Sequence, residues 1–248
     1  MAIFALTNLH IAVDNLNLSC FANQVDVMAE ADELDVTTFC GGGYRQKITG
    51  LASLSVNASG FQDYTSPAPG TVLNATTDLV SPGTTRTFTV APQGDTVGNT
   101  AYLGAAKATT LNELSGAVGE VAAFSLNLAG TSRLIKGKML HAVAAETATG
   151  SGTITTMAGP SATQSLYAAF HVYAVTGTGT ITMNVQTDDN ATPTSPTTRI
   201  TSTAFAAVGS ELKSVAGAFA SETHIRVIWT IAGFTSVTFS VAAGVAAT

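Results

Sequence analysis

Residues 16–63 read LNLSCFANQVDVMAEADELDVTTFCGGGYRQKITGLASLSVNASGFQD, and their alternation sets the fold class. Val25, Val27, Ala29 and Ala31 take odd positions, whereas Asp26, Met28, Glu30 and Asp32 take even ones. A period of two belongs to a strand with one apolar and one polar face. The apolar phase then slips, because Leu34 and Val36 are even and Glu33 and Asp35 are odd. Such a slip predicts a bulge or a strand end between Asp32 and Glu33. An extended segment follows through Val36, Thr37, Thr38 and Phe39, and Cys40-Gly41-Gly42-Gly43 reads as a flexible loop. Beyond it Leu54, Val56 and Ala58 alternate with Ser53, Ser55, Asn57 and Ser59, a face of small polar groups only.

The same period extends outward in both directions. Leu9, Ile11 and Val13 form a strand that ends in an Asp14-Asn15 turn, and Phe88 with Val90 and Phe124 with Leu126 and Leu128 mark two more. Residues 71–80 are the helix candidate, against their Thr content. Gly130-Thr131-Ser132 and Gly137 precede a change of character, and charged residues become sparse from about residue 139. Strands are expected at 141–145, 154–157, 166–175, 181–187, 225–231 and 237–241, with Pro193 and Pro196 in one longer loop. Short strands at this spacing predict a β-sandwich. The chain therefore divides into a domain at 1–138 and a second β-sandwich at 139–248, and the fold class is mainly β. Gly-Thr-Ile-Thr occurs at 152–155 and at 179–182, which reads as two similar hairpin arms rather than a repeat.

Composition narrows the function. Only 10% of residues are charged and 46% are apolar, against roughly 25% charged in an ordinary soluble domain. A protomer that buries surface against neighbours needs less charge than a monomer does. A Thr-rich extracellular β protein has a similar composition. The net charge is −6, with six acids and no Lys or Arg in residues 1–44. No basic patch offers a grip on phosphates, which excludes tight sequence-reading of nucleic acid. Two cysteines, Cys20 and Cys40, are too few for a disulfide scaffold and read as free thiols. The sequence MAIFALTNLHIAVDN lacks a basic n-region and a sustained apolar stretch, and no run of eighteen apolar residues occurs. Neither a signal peptide nor a membrane span is expected, so assembly in a cytoplasm is.

No catalytic, metal or cofactor constellation emerges. His10, His141, His171 and His224 lie in or beside strand-like segments without motif partners. Asp188-Asp189-Asn190 lacks the Gly and downstream Glu of a calcium loop and reads as a solvated turn. Gly41-Gly42-Gly43 is not followed by Lys-Ser/Thr, so it is no phosphate cradle.

In order, the chain has a short segment at 16–19, Val25-x-Val27, the acidic DELDVTTF at 32–39, a Gly-rich loop, GYRQKITGL at 43–51 and SLSVNASGFQD at 53–63. This series resembles the tail tube (major tail) proteins of long, non-contractile-tailed bacteriophages. Gln93-Gly94-Asp95-Thr96-Val97-Gly98 and Gly116-Ala117-Val118-Gly119-Glu120-Val121 also look like that family. The resemblance covers residues 1–138. Cys40 departs from it where a Gly or another small residue is expected. Residues 139–248 look like the β-sandwich that some of these proteins carry outside the tube.

The resemblance implies a small β-sandwich or barrel with a flanking helix, in a non-catalytic virion protein without cofactors. Copies would form homo-hexameric rings, stacked into a tube around genomic DNA in transit. The other partners implied are the tape measure protein and further tail proteins. Asp26, Glu30 and Asp32 must meet water if the odd face of their strand is buried, and the resemblance places them in the lumen, with Ser53, Ser55, Asn57 and Ser59 beside them. It also makes the inter-ring loop from Glu33, Asp35, Thr37, Thr38, Phe39, Gly41, Gly42, Gly43, Tyr44, Arg45 and Lys47. Glu33 and Asp35 are expected to meet basic groups of a neighbouring subunit, with Arg45 and Lys47 the candidates. Two other classes compete: a carbohydrate-binding or adhesive β-sandwich, with Tyr167 and Tyr173 as platform residues, and a head-decoration subunit. Trp229 is in phase with Ile225, Val227 and Ile231 and is expected in the core.

Overall fold

A computed structural model of the chain describes residues 5–38, 43–62 and 84–248. Every described element is a strand and every ladder is antiparallel. The expected helix at 71–80 lies outside the described residues. The first half comprises β1 (His10–Val13), β2 (Leu16–Asn17), β3 (Ala22–Asp35), β4 (Lys47–Phe61), β5 (Arg86–Ala91), β6 (Thr100–Ser115) and β7 (Ala123–Gly130). The second comprises β8 (Ile135–Glu146), β9 (Gly150–Ser151), β10 (Thr155–Thr156), β11 (Gln164–Asp188), β12 (Thr197–Thr201), β13 (Gly209–Ala216) and β14 (His224–Ala247).

The main ladder runs β12-β11-β14-β8-β6-β5-β1-β2. β6 serves two layers. Its residues Tyr102 to Ala106 pair with β5, whereas Ala106 to Ser115 pair with β7. β7 continues to β4 and β4 to β3. The resulting β3–β4–β7–β6 sheet lays Leu54, Val56, Phe124, Leu126 and Leu128 on Ile11, Val13, Leu16, Leu18 and Phe88 of the facing segment. Burying one such side chain contributes on the order of 1.5–3 kcal/mol, which is why the alternation at 54–58 and 124–128 holds in the fold.

Two strands expected on either side of residues 177–180 are one strand. β11 runs from Gln164 to Asp188 and pairs along its length with β14. Both bend where Gly177 and Gly233 take φ of 90° and 85°, conformations that a residue with Cβ avoids. The bend closes a second core of Phe170, Val172, Met183, Val185, Val227, Trp229, Phe239 and Val241. Trp229 is 5% exposed. Residues 152–154 form a loop leading into β10, which Thr155 begins, while 179–182 lie inside β11, so the two Gly-Thr-Ile-Thr copies are not equivalent arms. β6, β12 and β13 give no clean period in the sequence, being rich in Ala, Thr and Gly or half-exposed on both faces.

The fully buried members of the two cores come from residues up to Leu128 and from Leu140 onward. β8 joins the halves. Ile135 to Lys138 pair with β6, and Gly137 to Glu146 pair with β14. A small third cluster, with Ala91, Leu103, Ile135, Met139, Ala169 and Ala242, lies along this seam.

Candidate functional site

The polar residues singled out in β3 and β4 come together on one sheet face. Cross-strand partners in an antiparallel ladder point the same way. The register sets Asp26 opposite Asn57 and Glu30 opposite Ser53, and Ser53 Oγ donates to Glu30 Oε1 at 3.4 Å. Ser55 and Ser59 share that face with Met28 and Gln24. β7 and β6 extend it. Asn57 faces Asn127, which faces Thr110, and Ser59 faces Ser125, which faces Asn112. Gln24, Asp26, Asn57, Ser59, Ser125 and Asn127 line one shallow depression of about 280 Å³ on this surface.

The opposite face corrects one expectation. Val25 and Val27 pack against the first core, but Ala29 and Ala31 are exposed. Only the first part of β3 lies over the facing segment, and the rest projects as a two-stranded hairpin with water on both faces. The phase slip has the same origin. β3 does not break at Asp32 but pairs with β4 through Asp35. The bulge is on β4 instead, where Gly50 and Leu51 oppose Asp32 alone between the Ala31–Ala52 and Glu33–Thr49 pairs. Asp32 thus stays on the face of Asp26 and Glu30, joined by Leu34. Past the core no burial term selects a phase, so apolar and acidic residues change sides freely.

The segment expected as a loop is therefore mostly hairpin. Glu33 and Asp35 end β3, and Lys47 begins β4. Lys47 pairs with Glu33 of the same chain. The Asp35 carboxylate accepts from the Thr37 hydroxyl at 2.5 Å and the Thr37 amide at 2.9 Å, which holds its pKa below the usual value. Gln46 N donates to Thr37 Oγ at 2.9 Å, closing the described part of the tip. Thr38, Tyr44 and Arg45 are exposed, and Gly43 has φ 86°. Phe39, Cys40, Gly41 and Gly42 lie outside the described residues. Leu34, Val36, Tyr44, Ile48 and Leu51 make the tip apolar and exposed.

Two edges of this sheet are open among the described residues. β3 pairs only with β4, along one side. β6 loses β5 after Ala106, so residues 107–115 pair only with β7. Open edges are templates for further strand pairing.

A second constellation joins the two halves and had no signal in the sequence. Asp14, at φ 56° in the first turn, presents its carbonyl to His171 Nδ1 at 2.7 Å. Thr89 Oγ lies 2.9 Å from His171 Nε2, Ser210 Oγ donates to Asp14 Oδ1 at 2.8 Å, and Arg86 pairs with Oδ2. The bond to Asp14 requires the proton on Nδ1, so Nε2 accepts from Thr89. His171 is fully buried, and loss of solvent pushes its pKa down to about 4. Burial does the same to His10, whose Nδ1 meets Ser19 Oγ at 3.0 Å. Tyr173 is buried too, bonded to Ser240 Oγ at 2.6 Å, with its pKa raised by desolvation. It cannot serve in a sugar platform, and Tyr167 packs on the seam cluster.

Asp188 corrects another expectation: it is 5% exposed rather than solvated, with Asn190 N donating to its Oδ1 at 2.8 Å. Asp189 and Asn190 are exposed. Cys20 is exposed.

No protein-family model matches the chain. No curated protein matches it either. Among solved structures, it is similar to a chain in the virion of a native gene transfer agent particle, at 18% identity and a TM-score of 0.42, over 53% of this chain and 97% of that one. It is also similar to a chain in the sheath/tube terminator of the PVC extracellular contractile injection system, at 16% identity and a TM-score of 0.42, over 55% and 97%. A third is the Dit protein of phage SPP1, described as a hub of the adsorption apparatus, at 14% identity and a TM-score of 0.35, over 96% and 99%. Each is a loose likeness, and none assigns a role to this chain.

Proposed function

We propose that this chain is a non-catalytic structural subunit of a phage-type tail tube, whose copies close into rings and stack into a conduit for DNA. The observation that carries the reading is the β3–β4–β7–β6 sheet, with one apolar face on a core, one polar acid-bearing face, and an open strand at each edge. Adding the β6 edge of one copy to the β3 edge of the next satisfies both, and a closed ring leaves no edge. The resemblance of residues 16–63 to tail tube proteins supports the same arrangement and supplies its six-fold order. The polar face then lines the bore. Asp26, Glu30 and Asp32 repel phosphates, and the hydroxyl and amide groups between them offer no fixed positive charge to hold DNA. The field is short-ranged, since the Debye length is about 8 Å at physiological salt. The projecting hairpin reaches the next ring through its apolar tip. In this reading the protein resides in the virion tail after assembly in the host cytoplasm. The tape measure protein lies inside the bore, and the two halves divide labour between tube (1–138) and outer surface (139–248).

Electron microscopy and light scattering of the purified chain test this. Rings or tubes are the expected result. A monomer that persists up to the solubility limit, with both edges exposed, overturns the proposal.

A further inference from the structure

Among the described residues, Lys107 is the one basic residue that the register places on the polar face. The row runs Met28, Ser55, Ala129, Lys107 across β3, β4, β7 and β6. Lys107 is exposed, and among the described residues no carboxylate makes an ion pair with it. It stands on the first residue of the open part of β6, three strand spacings from β3 of its own chain. That is about 14 Å, beyond the Debye length of about 8 Å. Its own Asp26, Glu30 and Asp32 are therefore out of reach.

These acids lie on the other open edge of the same face. A strand added to β6 brings its side chains within about 5 Å of Lys107. Heterologous closure presents β3 of the next copy there, and β3 carries an acid at three of the alternate positions from 26 to 32. We infer that Lys107 is a specificity residue for ring closure, pairing across each joint with the acidic row of β3 in a second copy of this chain. This rests on the edge-to-edge closure proposed above and names the contact that selects it. The charges also work against wrong pairings. Two β3 edges would set acid against acid, and two β6 edges would set Lys107 against Lys107 if paired in register.

The test is the concentration dependence of assembly for the full chain. Lys107→Glu replaces attraction with repulsion at every joint. A rise of about tenfold in the concentration needed for assembly is expected, equivalent to about 1.4 kcal/mol per joint. Added salt narrows the gap between this variant and the parent. Lys107→Glu combined with Glu30→Lys, or with Asp26→Lys, restores assembly. Circular dichroism confirms that each variant is folded. If the parent assembles and Lys107→Glu assembles equally well, the inference is overturned and the tube reading stands. Loss of assembly that neither salt nor either charge swap relieves also overturns it. A parent chain that never assembles removes the tube reading itself.

Discussion

Acidification should loosen this protein through two buried imidazoles. His171 sits between the halves, faced by the Asp14 carbonyl from the β1–β2 turn, Thr89 from β5 and Tyr173 from its own strand. The titratable groups that act on it are the Asp14 carboxylate, paired with Arg86, and the buried His10. His10 is buried beside Ser19, with Asp95 acting on it from a distance. Burial holds both rings near pKa 4, against an ordinary 6.5. The folded state thus refuses protons that the unfolded chain accepts. Their contribution is complete above pH 6.5 and falls as the pH drops towards 4. Moving from 6.5 to about 4 is worth about 3 kcal/mol per ring. Below pH 6 the slope is about 1.4 kcal/mol per pH unit for each histidine, hence about 3 for the pair. Asp35, with its lowered pKa, acts only below its ordinary 3.8, leaving pH 4.5–6 clear of its effect. Urea unfolding of dilute protein in that window, followed by Trp229 fluorescence, measures the slope. His171→Gln removes one titrating ring and should halve the slope while lowering stability at pH 7. Parallel slopes for parent and variant would refute the reasoning.

Three further outcomes are expected. Successive amides of β3 point to opposite edges, so of Met28→Pro and Ala29→Pro one breaks the β4 ladder and the other blocks the open edge. The first should lose about 1 kcal/mol or more and several degrees of Tm, whereas the second should keep its Tm yet fail to assemble. Ser55→Lys with Asn57→Lys adds two positive charges in mid-face without replacing the edge acids, although Asn57 lies opposite Asp26. Rings should still form but retain DNA in a filter-binding assay, and equal release by parent and variant counts against a lumen role. A truncation ending at Lys138 keeps every β6–β8 pair but strips the seam cluster. It should fold with lower solubility and still assemble, and a folded monomer would mean that residues 139–248 contribute to the ring contact.

How much of this was legible in the chain depended on burial. Period-two alternation located the strands around Val25, Leu54, Leu126 and Val227 because in each a core selects one phase and leaves the other more open to water, whereas the strand around Phe88 is buried on both faces. Alternation put Asp26 with Glu30 on one strand face and Ser53 with Asn57 on another, but only the tail tube resemblance set those two faces side by side before any pairing was known. Where burial is weak the reading failed. β3 beyond Ala29 projects into water, so its change of phase recorded no break, and the bulge sits on β4 instead. β11 and β14 looked like four strands because Gly177 and Gly233 resemble turn residues. Only the pairing along their whole length tells a bend from a turn. The open edges of β3 and β6, the place of Lys107 on the acidic face, and the bonds from His171 to Thr89 and Asp14 belong to tertiary structure alone. Each joins residues far apart in the chain, and local alternation reports which way a side chain points, not which strand will lie beside it.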